Sequence, residues 1–222
     1  MPKYVLEFEK KGLVKYTSHL DMLRLFKRAF KTSGIPLEYS QGYNPHPKMG
    51  FAQPLSLGFT SSSELLEFTT SDSLRCEIVL GNLKDRMPIG INLLSLKEAD
   101  PKRNLASLVT SAKYRAVLPL DYASREHDIR ESLKGYLDQP EILAKKREKK
   151  TKNFIDKDIK NLIRSIEIEK FEGKIAFVME VDAGSKSNLN PELVIQTFAL
   201  YAGIMLEKGD FDIERISLEF SE

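Results

Sequence analysis

The stretch YVLEFEKKGLVKYTSHLDMLRLFKRAFKTSG, residues 4–34, decides the reading of the fold. Its opening YVLEFE alternates as a strand does. Tyr4, Leu6 and Phe8 fall on one face and Val5, Glu7 and Glu9 on the other. A polar turn is expected at Lys10–Gly12, and Val14–Thr17 reads as a short second strand or as the first strand resuming after a bulge. Ser18–Asp21 (SHLD) then has the spacing of a helix N-terminus, where a serine oxygen accepts an orphan backbone N–H. The helix is predicted to run to about Ser33 and to stop at Gly34, a residue free to adopt the left-handed conformation. At ~100° per residue, Met22, Leu23, Leu25, Phe26, Ala29 and Phe30 fill one broad arc. Arg24, Lys27, Arg28 and Lys31 gather on the opposite arc.

Working outward, Pro36–Ser40 reads as extended, and GYNPHPK (Gly42–Lys48) is too rich in glycine and proline to be regular. Strands are predicted at Phe51–Phe59 and Leu65–Thr69, joined by a serine-rich turn at Thr60–Ser63. Ser71 or Ser73 is expected to cap a helix near 74–85, and Ile91–Leu96 closes the half as a strand. This β-α-β-β-α-β order is the ferredoxin-like one. Residues 1–100 therefore read as a ferredoxin-like half, and DPKRN (Asp100–Asn104) as a linker. Residues 110–222 repeat the element order. They give a strand at 113–118, a helix at 124–137, a polar extended stretch at 141–154, strands at 162–169 and 174–181, a helix from Pro191 to Ala202 and a last strand at 211–220. The expected fold class is α+β, two tandem ferredoxin-like halves packed as one compact unit.

Composition narrows the function. The 222 residues contain no apolar run approaching the ~18 needed to span a membrane, and the charged start MPKYVLEFEKKG does not resemble a signal peptide. Cys76 is the single cysteine, so no intramolecular disulfide and no cysteine-ligated metal or iron–sulfur cluster is held by this chain alone. A cytoplasmic location is expected. The net charge is only +2, but it is unevenly placed. Residues 1–50 carry nine basic and four acidic side chains, and KKREKKTK (Lys145–Lys152) carries six and one. Two positive islands on an otherwise acidic chain point to contact with an anion such as a phosphate backbone, or else to two solvated lysine faces.

Three histidines are present. His127 lies among Arg125, Glu126 and Asp128 and reads as solvated. His19 opens the amphipathic helix and His46 sits between two prolines. Each has an ordinary reading, as a helix-start packing residue and a turn residue. Each also has a functional one, because Ser18, His19, Asp21, Gln41, Tyr43, Asn44, His46 and Lys48 concentrate donors, acceptors and an aromatic in two short segments. His19 and His46 are the candidate catalytic pair, since acid–base cleavage of RNA needs two groups titrating near neutrality. His19, Asp21 and His46 have ligand chemistry but no local clamp spacing, and no metal or other cofactor is expected. No phosphate-binding G-x-x-x-x-G-K-[ST] loop, dinucleotide G-x-G-x-x-G or nucleophile elbow occurs. Candidate nucleic-acid contacts are Arg24, Lys27, Arg28, Lys31, Lys145, Lys146, Arg147, Lys149 and Lys150. Tyr39, Tyr43, Phe51 and Phe59 would stack on bases if exposed, or pack in the core.

Three stretches carry a family resemblance: Lys10–Gly58, KREKKTKNFIDKDIKNLI (Lys146–Ile163) and NLNPELVI (Asn188–Ile195). SHLD followed by YSQGYNPHPK is its most specific part. The chain resembles the radical SAM-linked protein family, also described as a domain of unknown function. The resemblance implies a protein found free-standing or fused to cobalamin-binding radical S-adenosylmethionine proteins, and often encoded near ribonuclease E/G-type enzymes and ribosomal proteins. It supplies no catalytic residues. The expected function is a non-catalytic partner or substrate-recognition protein for such a radical enzyme, acting on RNA or a ribonucleoprotein. An RNA-processing enzyme using His19 and His46, and an assembly factor that binds protein alone, are the alternatives.

Overall fold

Strand β1 (Lys3–Lys10) buries every second side chain, Tyr4, Leu6, Phe8 and Lys10, as its alternation demands. It lies in the first of two compact units into which the chain divides in the computed structural model, which describes residues 1–147, 153–207 and 209–221. This unit holds residues 1–109 and the C-terminal segment from Arg215 on; the second holds residues 110–214. The protein is α+β, and among the described residues no helix is long and apolar enough to cross a membrane.

In the first unit, β1 pairs antiparallel with β3 (Thr60–Thr69) on one side and β4 (Ile91–Ala99) on the other. The far edge of β3 receives β2 (Met49–Phe51) and the C-terminal part of β10 (Asp212–Phe220). Helix α1 (His19–Thr32) begins where expected. Ser18 Oγ accepts the Asp21 N–H, and the helix buries Met22, Phe26, Ala29 and Phe30. It ends in a Schellman motif. Gly34, at φ +69°, lets its own N–H reach Lys31 O and the Ile35 N–H reach Phe30 O. The core of this unit is an aromatic cluster in which Phe26 packs on Phe8 and Phe30 on Phe68, with ring centroids 4.8 and 4.6 Å apart.

Four local expectations are corrected. Lys10 belongs to the strand rather than to a turn, and it is buried. Residues Gly12–Tyr16 form a 3₁₀ turn in place of a strand, because Gly12 adopts φ +64° and breaks the extended run. The serines at 61–63 extend β3, whereas of the strand expected at Phe51–Phe59 only Phe51 is strand, as the last residue of Met49–Phe51. Ser61 is buried and donates to Arg215 O, which gives a hydroxyl-rich segment a reason to pair. Helix α2 (Cys76–Lys84) has Arg75 at its N-cap with no side-chain cap, and the Ser71 hydroxyl is spent on Asp72. Cys76 packs half-buried against the core.

A short helix, α3 (Leu105–Leu108), leads into β5 (Val109–Val117). In the second unit β5 pairs with β9 (Lys174–Asp182), which pairs with β8 (Ile163–Phe171), all antiparallel. Glu172 and Gly173, both at positive φ, close the β8–β9 hairpin as a type I′ turn requires. Tyr136 of α4 (Glu126–Asp138) meets Phe198 of α5 (Pro191–Tyr201) edge-on at 5.5 Å, and Phe198 meets Phe177 at 5.0 Å. The polar stretch expected to be loose contains a regular pair, β6 (Leu143–Arg147) and β7 (Phe154–Asp158), joined through residues outside the described ones. The sequence boundary at 100–110 placed the whole last strand with the second half; the contacts assign it from Arg215 onward to the first unit.

Candidate nucleic-acid interface

The amphipathic pattern of α1 leaves Arg24, Lys27, Arg28 and Lys31 exposed on the face opposite the core. Arg24 reaches Asp21 at 2.8 Å, and both side chains are solvated, so this pair is worth at most ~1 kcal/mol and is free to exchange for a phosphate. Asp21 also accepts the Ser18 hydroxyl at 2.7 Å, and these two partners, Ser18 first, hold its carboxyl below the usual carboxylate range. Lys27 lies over the Tyr39 ring, 5.8 Å from its centroid. That contact brings the base of the next loop against the helix's cationic face.

The loop itself is closed by short-range bonds. Ser40 N–H donates to His46 O, Ser40 Oγ accepts the His46 N–H, and Lys48 N–H donates to Glu38 O. Tyr39 and Pro47 form a bridge across its neck. Gln41, Tyr43, Asn44, His46 and Lys48 are all exposed, Tyr43 completely. A fully solvated tyrosine on a hydrogen-bonded loop is available for base stacking. Of the other aromatics, Phe59 is buried and Phe51 packs against the core.

His19 sits elsewhere. Its ring meets Phe51 edge-on at 5.2 Å, and its partial burial lowers the imidazole pKa. Pro47–Met49 makes a tight turn, in which the Met49 N–H donates to Pro47 O, before Met49–Phe51 pairs with β3. His46 lies exposed on the loop. The helix start meets β2 through the His19–Phe51 contact, and α1 meets the neck of the loop through the Lys27–Tyr39 contact. His127 is exposed on α4.

A small cavity of about 20 Å³ lies beside His19, lined by Phe8, Lys10, Met22, Phe51, Leu55 and Glu64. That is room for one water and no nucleotide. Behind it is a buried charge network. The Arg215 guanidinium donates from Nε to Glu64 at 2.8 Å and from Nη2 to its second oxygen, and also to the carbonyls of Gln53 and Pro54. Lys10 Nζ donates to Lys15 O and Thr17 O, and burial lowers its pKa against the pull of Glu64. Lys10, Glu64 and Arg215 were not among the sequence candidates. The available signal was strand parity, since each falls on the same register as its strand's buried apolar residues.

In the second unit, Lys145 and Lys146 are exposed on β6. Arg147 ends that strand, and Lys149 and Lys150 lie outside the described residues.

The fold and these sites stand beside what known proteins show. The chain belongs to the family described as uncharacterized protein conserved in bacteria (DUF2344), which matches residues 3–191. No curated protein matches it. A crystal structure of a Cbf5–Nop10–Gar1 complex is similar over 97% of this chain at 14% identity and TM-score 0.49; the match spans 48% of that chain, about half its length. An unknown protein from Galdieria sulphuraria matches 100% of this chain and 99% of its own, at 14% identity and TM-score 0.28. A putative glycine cleavage system transcriptional repressor matches 100% and 98%, at 11% identity and TM-score 0.28.

Proposed function

We propose that this chain is a non-catalytic recognition protein that binds RNA, or the RNA of a ribonucleoprotein, on behalf of a cobalamin-binding radical S-adenosylmethionine enzyme. The observation that carries the RNA half is the exposed cationic face of α1 with the loop of Tyr39 and Tyr43 held against it through Lys27. Cations spaced along a helix suit a phosphate backbone, and an adjacent solvated aromatic suits an unpaired base. The radical-enzyme half rests on the family resemblance. A tandem ferredoxin-like architecture is part of the same reading. The first unit's strand order β4-β1-β3-β2, antiparallel throughout, is the order a β-α-β-β-α-β unit adopts. Acid–base cleavage is not favoured, because His46 and His19 sit in separate surroundings.

A protein contact is favoured by a second observation. Leu13, Tyr16, Leu20 and Leu57 are all strongly exposed, Leu13 at 86%, and Gly58 N–H donates to Lys15 O, which sets Leu57 beside this stretch. Apolar side chains clustered on a surface mark docking sites. The test is photo-crosslinking of bound RNA, followed by mapping of the crosslinked peptides. The proposal expects crosslinks at Tyr43 and in residues 24–31, lost with Arg24, Lys27 and Arg28 changed to alanine. Crosslinks confined to other segments would refute it. Leu13→Glu with Leu57→Glu should abolish radical-enzyme binding and leave RNA crosslinking intact.

A further inference from the structure

The β6–β7 pair carries a polarised arrangement of side chains. Its register sets Ala144 opposite Lys157 and Lys146 opposite Ile155. Directly opposed residues share a face, so Ala144, Lys146, Ile155 and Lys157 form one face, and Lys145, Asp156 and Phe154 project from the other. Ala144 is buried, which anchors the first face against the unit. That face borders a groove of about 260 Å³ whose other wall is Asn188–Asn190 and Leu193, with Lys145, Lys146 and Lys157 at its rim. All three lysines are exposed. Phe154 is 70% exposed and Ile155 45%. A strand that exposes every residue and keeps a phenylalanine in water has little structural reason to do so. Asp156 stands directly opposite Lys145, whereas Lys146 and Lys157 of the groove face are opposed by Ile155 and Ala144 rather than by a carboxylate.

We infer that this groove in the second unit is a separate contact site for single-stranded RNA. Lys146 and Lys157 hold phosphates along the groove face, Lys145 holds one at the rim, and Phe154, on the ribbon's other face, stacks on an unpaired base where the RNA strand crosses the ribbon's edge. The inference rests on the proposal that the chain binds RNA, and it adds a site that α1 does not include. Single-stranded rather than duplex RNA fits, because a stacking side chain needs an unpaired base face.

The experiment uses the full chain and fluorescence anisotropy with a labelled oligouridylate, titrated between ~50 and ~200 mM salt. Each phosphate contact on a single strand contributes about 0.7 to the log–log salt slope. Changing Lys145, Lys146 and Lys157 to alanine should therefore make the slope shallower by about 2. Phe154→Ala should weaken binding about 5- to 150-fold at every salt concentration with the slope unchanged, since stacking releases no counterions. Three outcomes separate the claims. If the lysine variant keeps the wild-type slope while alanines at Arg24, Lys27 and Arg28 reduce it, the groove is overturned and the α1 proposal stands. If the reverse holds, the groove stands and the α1 site falls. If the wild-type chain fails to bind at ~50 mM salt, both are overturned.

Discussion

Changing Arg215 to methionine tests the physical core of the first unit. Arg215 is completely buried and Glu64 nearly so. Their bidentate contact places opposite charges about 3 Å apart. At an effective dielectric of ~20 the gross attraction is ~5–6 kcal/mol, before the cost of desolvating both ions. Removing the cation leaves the Glu64 carboxylate with only Lys10 nearby and strips a donor from each of two carbonyls. Breaking a buried pair in this way costs ~3–5 kcal/mol. For a chain of this size each kcal/mol moves the melting temperature by ~2–4 °C, so Arg215→Met should lower it by ~6–20 °C in a calorimetric scan. Glu64→Leu combined with Arg215→Met should restore part of that loss, because no lone carboxylate remains in the interior, while Lys10 loses its counter-charge and keeps only the Lys15 and Thr17 carbonyls. A single-variant cost below ~1 kcal/mol would refute the reasoning, since that is what a solvated surface pair is worth.

Two further outcomes follow from the same geometry. Burial depresses the His19 imidazole, so the folded chain binds fewer protons than the unfolded one between that depressed value and the ordinary ~6.5. Stability should be full above that window and fall as pH drops through it, and the melting temperature of His19→Gln should lack this component, while the depressed Asp21 and Glu9 carboxyls act only at lower pH. Gly90 has φ +96°, and a Cβ there would come within 2.3 Å of Lys11 O, whose own N–H donates to Gly90 O. Gly90→Ala should therefore cost ~1–3 kcal/mol in urea unfolding, whereas Gly81→Ala, inside α2 where a Cβ meets nothing, should gain ~0.5–1 kcal/mol.

The elements that sequence pattern revealed are those with one dominant period. Helix α1 was legible because SHLD, a two-sided arc and Gly34 agree on start, face and stop. The same parity that marked β1 also carried Lys10 inward, but the run Lys10-Lys11-Gly12 reads locally as a turn. Its burial is sustained by Glu64 of β3 and by the Lys15 and Thr17 carbonyls, against repulsion from Arg215, and Glu64 is itself held by Arg215 of β10. Such pairings join residues 64 and 215, a separation no local pattern encodes. The candidate site divided in the same way. The exposed cations of α1 follow from periodicity alone. The fate of His19 turned on Phe51, a contact set by how β2 aligns with β3. The paired strands β6 and β7 hid within a lysine-rich run whose composition suggests solvation rather than a ladder.

The central claim, that this chain holds RNA through exposed cations, meets its most direct test in the salt dependence of wild-type binding to a single-stranded oligoribonucleotide. The four cations of α1 and Lys48 of the adjacent loop, at ~0.7 each, set a log–log slope near −3.5, which the groove lysines would steepen. A flat salt dependence, or no measurable binding at low salt, would contradict the account.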